Sequence, residues 1–224
     1  ELVPALYEYA NYYLDAGDFQ AALPIYRRAL SIQEAAFGED DLRLVETLRG
    51  ISLTYRKRNF FRGEGKRALE RCVELYEADE FADVVDPADN LLELGDWHLL
   101  SNSSDKAIDA YRRAWQLLAA EDGNDERAVA LLGEPYRLEY VRPLNVYLDY
   151  RQRSSLSAEN FIDVTFTVSA EGKVPRARVV DGTATRRTEN ETLSAVRAAR
   201  FRPAFIEGEP VASELTLRQY FRPR

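Results

Sequence analysis

At 224 residues, 46% apolar and 30% charged, the chain is long enough for one large domain or two modest ones, each with its own core. A net charge of −8 and a pI near 5.0 argue against long-range attraction to nucleic acid or to an anionic membrane. No apolar run approaches the roughly 18–20 residues that cross a bilayer, so no membrane span is expected within the chain.

The opening "ELVPALYEYA" has neither an initiator Met nor a signal-peptide pattern and reads as the start of a processed or trimmed piece. Leu6, Tyr9, Ala10 and Tyr13 follow helical spacing. In "GDFQAALPIYRRAL" (residues 17–30) a small residue is followed four later by an aromatic and three after that by another small one: Ala22, Tyr26, Ala29. The same triplet returns as Ala107, Tyr111, Ala114 in "SNSSDKAIDAYRRAW" and, less faithfully, as Ala68, Cys72, Leu75 in "KRALERCVELYEA". On a helix these offsets share one face, with small residues where two helices approach closely and a large one between them. Leu91, Leu94, Gly95 and His98 form a further stripe, and "NDERAVALL" (124–132) is expected to be a helix that caps the array.

This pattern resembles the tetratricopeptide repeat, a helix–turn–helix unit with a period of about 34. Here the anchor alanines, at 22, 68 and 107, stand 46 and 39 residues apart. That spacing, with the linker "FGEDDLRLVETL" (37–48), is closer to the elongated repeats of kinesin-light-chain type. The middle repeat is the poorest match, because "RKRNFFRGEGKR" (56–67) adds residues. Its basic and aromatic interleaving allows nucleic-acid or lipid contact; on an acidic protein, a loop that tucks Phe60 and Phe61 onto the next helix is favoured. His98 falls where the repeat usually places a tyrosine and is expected to be a packed, hydrogen-bonded core residue. Cys72 reads as a small apolar filler.

The resemblance implies a groove, lined by the first helix of each repeat, that binds an extended peptide or protein. Its expected residues are Tyr7, Asn11, Asp15, Asp89, Glu93 and Asp96. Asn11 matches one asparagine of the carboxylate-clamp type of array, but Tyr7, Asp89 and Glu93 replace its lysines and arginine, so the clamp is absent. Asp15, Asp89, Glu93 and Asp96 make either an acidic groove, suited to a basic or neutral partner, or a set of solvated charges.

Beyond Gly133-Glu134-Pro135 the period changes. Residues 136–160 read as a connector across the surface. "FIDVTFTVSA" (161–170) alternates strictly, with Ile162, Val164, Phe166 and Val168 on one face, which marks a half-buried strand. "EGK" supplies a turn and "VPRARVV" (174–180) a hairpin partner. "ENETLSAVRAARF" (189–201) regains helical spacing, with acids near its start, where the helix dipole favours them. "RFRPAFIEGEPV" leads out of this helix: Phe201 is expected to pack the helix on the sheet, Pro203 to end the helix, and Gly208 to take a positive φ. A last strand, 211–221, places Val211, Ser213, Leu215, Leu217, Gln219 and Phe221 at alternate positions.

Strand–strand–helix–strand with "F-x-P…G-x-P-V" after the helix closely resembles the C-terminal domain of TonB-type energy transducers. The matching positions include Val164, Phe166, Val168, Gly172, Phe201, Pro203, Gly208 and Pro210. The resemblance implies a periplasmic domain that captures a short peptide of an outer-membrane transporter as an added strand beside its last one. With sheet order 2-1-3, Pro175, Arg176 and Arg178 discourage pairing on one edge, while the last strand has no internal proline. That edge is open to a peptide, or else covered by the connector or by a second copy. No membrane helix or long Pro-rich spacer precedes the domain in this chain.

The expected fold is therefore α+β: an all-α helical-hairpin repeat solenoid (1–135), a connector (136–160), and a small domain of three antiparallel strands and one helix (161–224). The expected function is a periplasmic protein–protein adaptor, anchored or not by a segment outside this chain. The alternative is a component of a TonB-type energy-transduction system. One Cys and one His leave no Cys/His nucleophile pair or zinc site, no carboxylates stand at a distinctive spacing, and neither enzyme activity, metal nor cofactor is expected.

Overall fold

A computed structural model describes residues 2–58, 60, 63–78, 85–122, 125–139 and 160–221. The chain divides into two compact units, residues 1–123 and 124–224.

Among the described residues, the first unit forms three helical hairpins. Helices α1 (Leu2–Asp15) and α2 (Phe19–Phe37) form the first, α3 (Val45–Lys57) and α4 (Glu64–Ala78) the second, α5 (Val85–Leu100) and α6 (Ser104–Asp122) the third. The turn into α2 uses Gly17 at φ 78° and Asp18, whose carboxylate accepts from the Ala21 amide at 3.0 Å. The recurring triplets explain the packing: Ala22, Tyr26, Ala29, Ala107, Tyr111 and Ala114 are all fully buried. A Cβ on Gly50 would stand 2.4 Å from the Tyr26 ring, and one on Gly95 would stand 2.2 Å from the Tyr111 ring. Each aromatic thus occupies the space that a glycine one helix away leaves free. A polar chain ties α2 to the next hairpin: the Gln33 amide donates to the Arg43 carbonyl at 2.7 Å and its oxygen accepts from the Thr47 hydroxyl at 2.7 Å. Tyr9, placed by its spacing on the packed face of α1, is instead 51% exposed, its hydroxyl 2.8 Å from that of Tyr13.

Cys72 is fully buried, its sulfur 3.7 Å from the Val45 carbonyl, and burial pushes its thiol up to about 12. His98 is also buried; desolvation, with Lys66 nearby, lowers its pKa. Both residues sit in the packed interior that their spacing indicates. Phe60 leans on Tyr55 of the preceding helix, ring centroids 5.9 Å apart, and stays half exposed; Phe61 lies outside the described residues.

The second unit begins with α7 (Glu126–Leu132), which packs against β5 within this unit; the sequence pattern had assigned it to the end of the repeats. Strand β1 (Tyr136–Glu139) follows, inside the stretch expected to be connector; the remaining 140–159 lie outside the described residues. The main sheet has order β3-β2-β7, all antiparallel: β2 (Phe161–Val168) is central, β3 (Arg176–Gly182) and β7 (Ser213–Tyr220) are the edges. Helix α8 (Arg186–Ala198) covers one face through Val196 and Leu193 against Ile162, Val164 and Phe166. Thr185 caps it, its hydroxyl accepting from the Thr188 amide at 3.4 Å.

Three details differ from the sequence reading. Helix α8 ends at Ala198, before Pro203 can act, because Ala199 is already extended and Arg200–Arg202 form β4, paired with β1. Pro175 precedes β3 rather than blunting it; a bulge opposite Asp163 and Val164 leaves Val180 as the extra residue on that edge. The stretch after Pro203 folds back as a hairpin, β5 (Ala204–Ile206) with β6 (Glu209–Val211), over a turn in which Glu207 and Gly208 take φ 52° and 81°. Phe201, as expected, packs against Phe166 with ring centroids 5.5 Å apart.

Candidate functional site

Along the first helices of the three hairpins runs a groove of about 670 Å³. Helix α1 contributes Tyr7 and Asn11, α3 contributes Glu46, Arg49, Leu53 and Arg56, and α5 contributes Glu93. Asn11 accepts a hydrogen bond from the Tyr26 hydroxyl, which holds its amide in the wall. Tyr7 packs edge-on against Tyr26 at 5.8 Å; burial, with Glu46 adjoining, raises its phenol above the usual value. Arg49 and Arg56 lie 4.0 and 3.7 Å from the Glu93 carboxylate.

Of the six residues read as groove positions, Tyr7, Asn11 and Glu93 meet there. Asp15 is exposed at the end of α1, 3.7 Å from the Lys57 ammonium, and Asp89 is half-buried on α5; neither lines the groove. Asp96 is 5% exposed and accepts from the Tyr111 hydroxyl at 2.8 Å, so it is an interior acceptor rather than a groove charge. The groove is correspondingly mixed rather than acidic, because Arg43, Arg49 and Arg56 set three cations beside Glu46 and Glu93. The α3 residues were missed, although Glu46, Arg49, Leu53 and Arg56 recur at three- and four-residue steps that share a helix face.

In the second unit the candidate is the outer edge of β7. Strand β7 pairs with β2 from Ser213 opposite Val168 to Tyr220 opposite Phe161, and among the described residues no strand pairs with its other edge. Ser213, Leu215, Leu217 and Gln219 alternate on the helix-covered face, with Gln219 fully buried. Val211 does not belong to this edge: it pairs with Ala204 in the β5–β6 hairpin. Phe221 follows β7, is 5% exposed, and donates its amide to the Asn160 carbonyl at 3.1 Å. On the opposite face Arg218 clamps Asp163 with two bonds of 2.7 and 2.6 Å, which lowers the carboxyl pKa, and Thr165 meets Thr216 at 3.1 Å. Beside β7 lies a cavity of about 400 Å³; its described lining includes Leu215, Leu217, Phe166, Phe201 and Val196, together with Tyr136 and Arg137 of β1.

Two family models match the chain, one in each unit. Residues 2–60 match the family model described as tetratricopeptide repeat, and residues 158–223 the one described as Gram-negative bacterial TonB protein C-terminal. The chain therefore joins a tetratricopeptide-repeat segment to a TonB C-terminal segment, two kinds of protein-interaction domain. Solved structures similar to it include the nearly identical TPR-like repeats of a protein described as a kinesin light chain from Podosopora anserina. That match has 14% identity and a TM-score of 0.47, and covers 57% of this chain and 61% of the other, so this chain spans about three fifths of that relative's length. Another is the TonB C-terminal domain of Pseudomonas aeruginosa, determined by solution NMR, at 21% identity, 38% of this chain, 85% of the other, and a TM-score of 0.27. No curated protein matches. Among the described residues, no helix is long and apolar enough to cross a membrane.

Proposed function

We propose that the protein is a periplasmic adaptor that holds one protein or peptide in its repeat groove and a second, extended peptide as a strand added to β7. The observation that carries the reading is the outer edge of β7: eight residues without proline, paired on one side only among the described residues, in a segment matched to the TonB C-terminal model. Main-chain groups on such an edge would supply the hydrogen bonds, and side chains of alternate residues the selectivity. The mixed rim of the repeat groove, with Tyr7, Leu53 and Tyr76 between its charges, supports an occupant with both polar and apolar side chains. Both matched segments are of interaction type, and the adaptor is read as non-enzymatic.

The experiment is a titration of the nitrogen-15-labelled full chain with a short extended peptide, followed by amide spectra. Shifts concentrated at Ser213–Tyr220 are expected. Unchanged β7 amides at saturating peptide would overturn strand addition.

The TonB match favours a second reading, a component of energy transduction to an outer-membrane transporter. Cells lacking the protein would then lose uptake that depends on the proton gradient; under the adaptor reading they would keep it.

A further inference from the structure

The first helices of the three hairpins share one register. Each is closed by an amide that reaches a carbonyl five residues back: Asp18 to Tyr13, Phe60 to Tyr55 and Ser103 to His98, at 2.9, 3.1 and 2.8 Å. One, four and eight residues before those carbonyls stand Tyr12, Tyr9 and Ala5 on α1, Thr54, Ile51 and Thr47 on α3, and Trp97, Leu94 and Asn90 on α5. Such offsets lie on one helix face. On α3 and α5 all of these residues are buried, and that face meets the second helix of the preceding hairpin. Thr47 donates to Gln33 of α2, and a Cβ on Gly65 of α4 would stand 2.7 Å from the Trp97 ring.

On α1 the same three positions are exposed, Tyr12 at 68%, and Leu2 continues the stripe. A face of helix–helix packing type, apolar and aromatic, thus meets solvent. Tyr7 and Asn11 of the groove lie on the opposite side of α1, so the two surfaces are distinct.

Charge narrows the occupant. Helix α1 has two acids, Glu8 and Asp15, on one flank of the stripe, and no Lys or Arg. Glu8 is exposed, and Asp15 lies 3.7 Å from the Lys57 ammonium. Two copies joined through α1 would set acid against acid, which costs affinity, whereas a basic helix would gain from the same charges. Helix α2, which meets the matching face of α3, has that composition: buried Ala22, Leu23 and Ala29, with Arg27 and Arg28 exposed.

We propose that the outer face of α1 docks an amphipathic helix of a partner protein, with leucine and alanine along its apolar stripe and lysine or arginine beside it. This surface is additional to the repeat groove and to the β7 edge, and its occupation depends on neither.

The test uses the full chain and three fluorescein-labelled peptides of about 18 residues, long enough to reach helical form on binding. One has leucine and alanine on one face and lysine and glutamine on the other. The second has the same composition scrambled so that the stripe is lost, and the third has glutamate in place of lysine. Anisotropy gives affinities, and nitrogen-15 amide spectra locate the site. The first peptide should bind at least about tenfold tighter than either of the others, with shifts concentrated in Leu2–Asp15. Ala5→Lys and Tyr12→Lys should each weaken it by about tenfold, and Glu8→Lys by about threefold. The three substituted side chains are exposed, so each variant checks the others if one folds poorly. Equal binding of the scrambled peptide would reduce the effect to bulk charge attraction and overturn the proposal. Shifts centred on Arg49 and Arg56 would place the peptide in the groove and overturn it too. So would sedimentation showing that the chain alone dimerises and that Tyr12→Lys abolishes the dimer, because the occupant would then be a second copy.

Discussion

The hydroxyl of Tyr111 donates to Oδ1 of Asp96 at 2.8 Å, and Tyr26 makes the same contact with Asn11, fifteen residues back in each case. Two repeats thus use one device: the aromatic that fills the gap beside a small residue anchors its polar end on the first helix of its own hairpin. In the third hairpin the acceptor is a carboxylate, and it is buried. Removing the donor with Tyr111→Phe should cost about 1–3 kcal/mol, the range for taking a partner from a buried polar group. Asp96→Asn, which reproduces the first repeat's pair, should cost less. Urea unfolding of both variants checks the order.

Gly95 is the steric counterpart of that tyrosine. Gly95→Ala gains up to about 1 kcal/mol in helix propensity, but its Cβ would stand 2.2 Å from the Tyr111 ring. Overpacking of this kind costs about 1–3 kcal/mol, so a net loss is expected. Combining it with Tyr111→Leu should give a destabilisation smaller than the sum of the two, measured by a double-mutant cycle.

His98 gives the repeat array a pH dependence. Burial, then Lys66, lowers its pKa in the folded state, although Glu70 opposes them. The unfolded chain therefore takes up the proton first. Stability from keeping His98 neutral is fully present above the unfolded value near 6.5 and is lost as pH falls from there toward the folded pKa. Thermal unfolding of the wild type and of His98→Gln between pH 7.5 and 5 should show the flatter curve for the variant.

Asp163 acts in the second unit in a different window. Its folded pKa is depressed, first by the hydrogen bonds from Arg218. The contribution is present above the unfolded value near 3.9 and is lost as pH falls through the folded pKa. Arg218 is half exposed, so solvent screening keeps the effect small. Asp163→Asn should therefore lower stability at pH 7 and narrow the gap to wild type below about pH 3, read by denaturant midpoints.

Glu93 lies between Arg49 and Arg56 in the repeat groove. Glu93→Gln leaves both guanidiniums without that counter-charge and should tighten binding of a hexaglutamate probe by about threefold at low salt, with the gain lost near 0.5 M salt. Fluorescence anisotropy measures both. An unchanged affinity would mean that the two arginines already reach solvent independently of Glu93.

How much of this was legible beforehand follows from which signals are local. The alternation Ile162–Val164–Phe166–Val168 is a property of eight consecutive residues, and β2 is where it says. The Ala–Tyr–Ala triplets encode close helix approach by side-chain size alone, and the structure buries every member of the two best copies. Gly208, with its positive φ, follows from the one residue type that tolerates that conformation readily.

Partners far apart in the chain decided the rest. Val211 and Ser213 look like one alternating strand, yet the Glu207–Gly208 turn folds Val211 back onto Ala204, so it belongs to a hairpin and not to the β7 edge. Asp96 looks like a surface acid until a hydroxyl fifteen residues later compensates its burial. Strand β1 is four residues long, too short to carry a period, and exists by pairing with β4 more than sixty residues on. The amino-acid sequence by itself determined the two kinds of module and their order, because size and alternation act within a few residues. The faces that meet, the sign of the repeat groove and the cavity behind β7 were decided by tertiary structure, because each needs side chains from segments that no local pattern links.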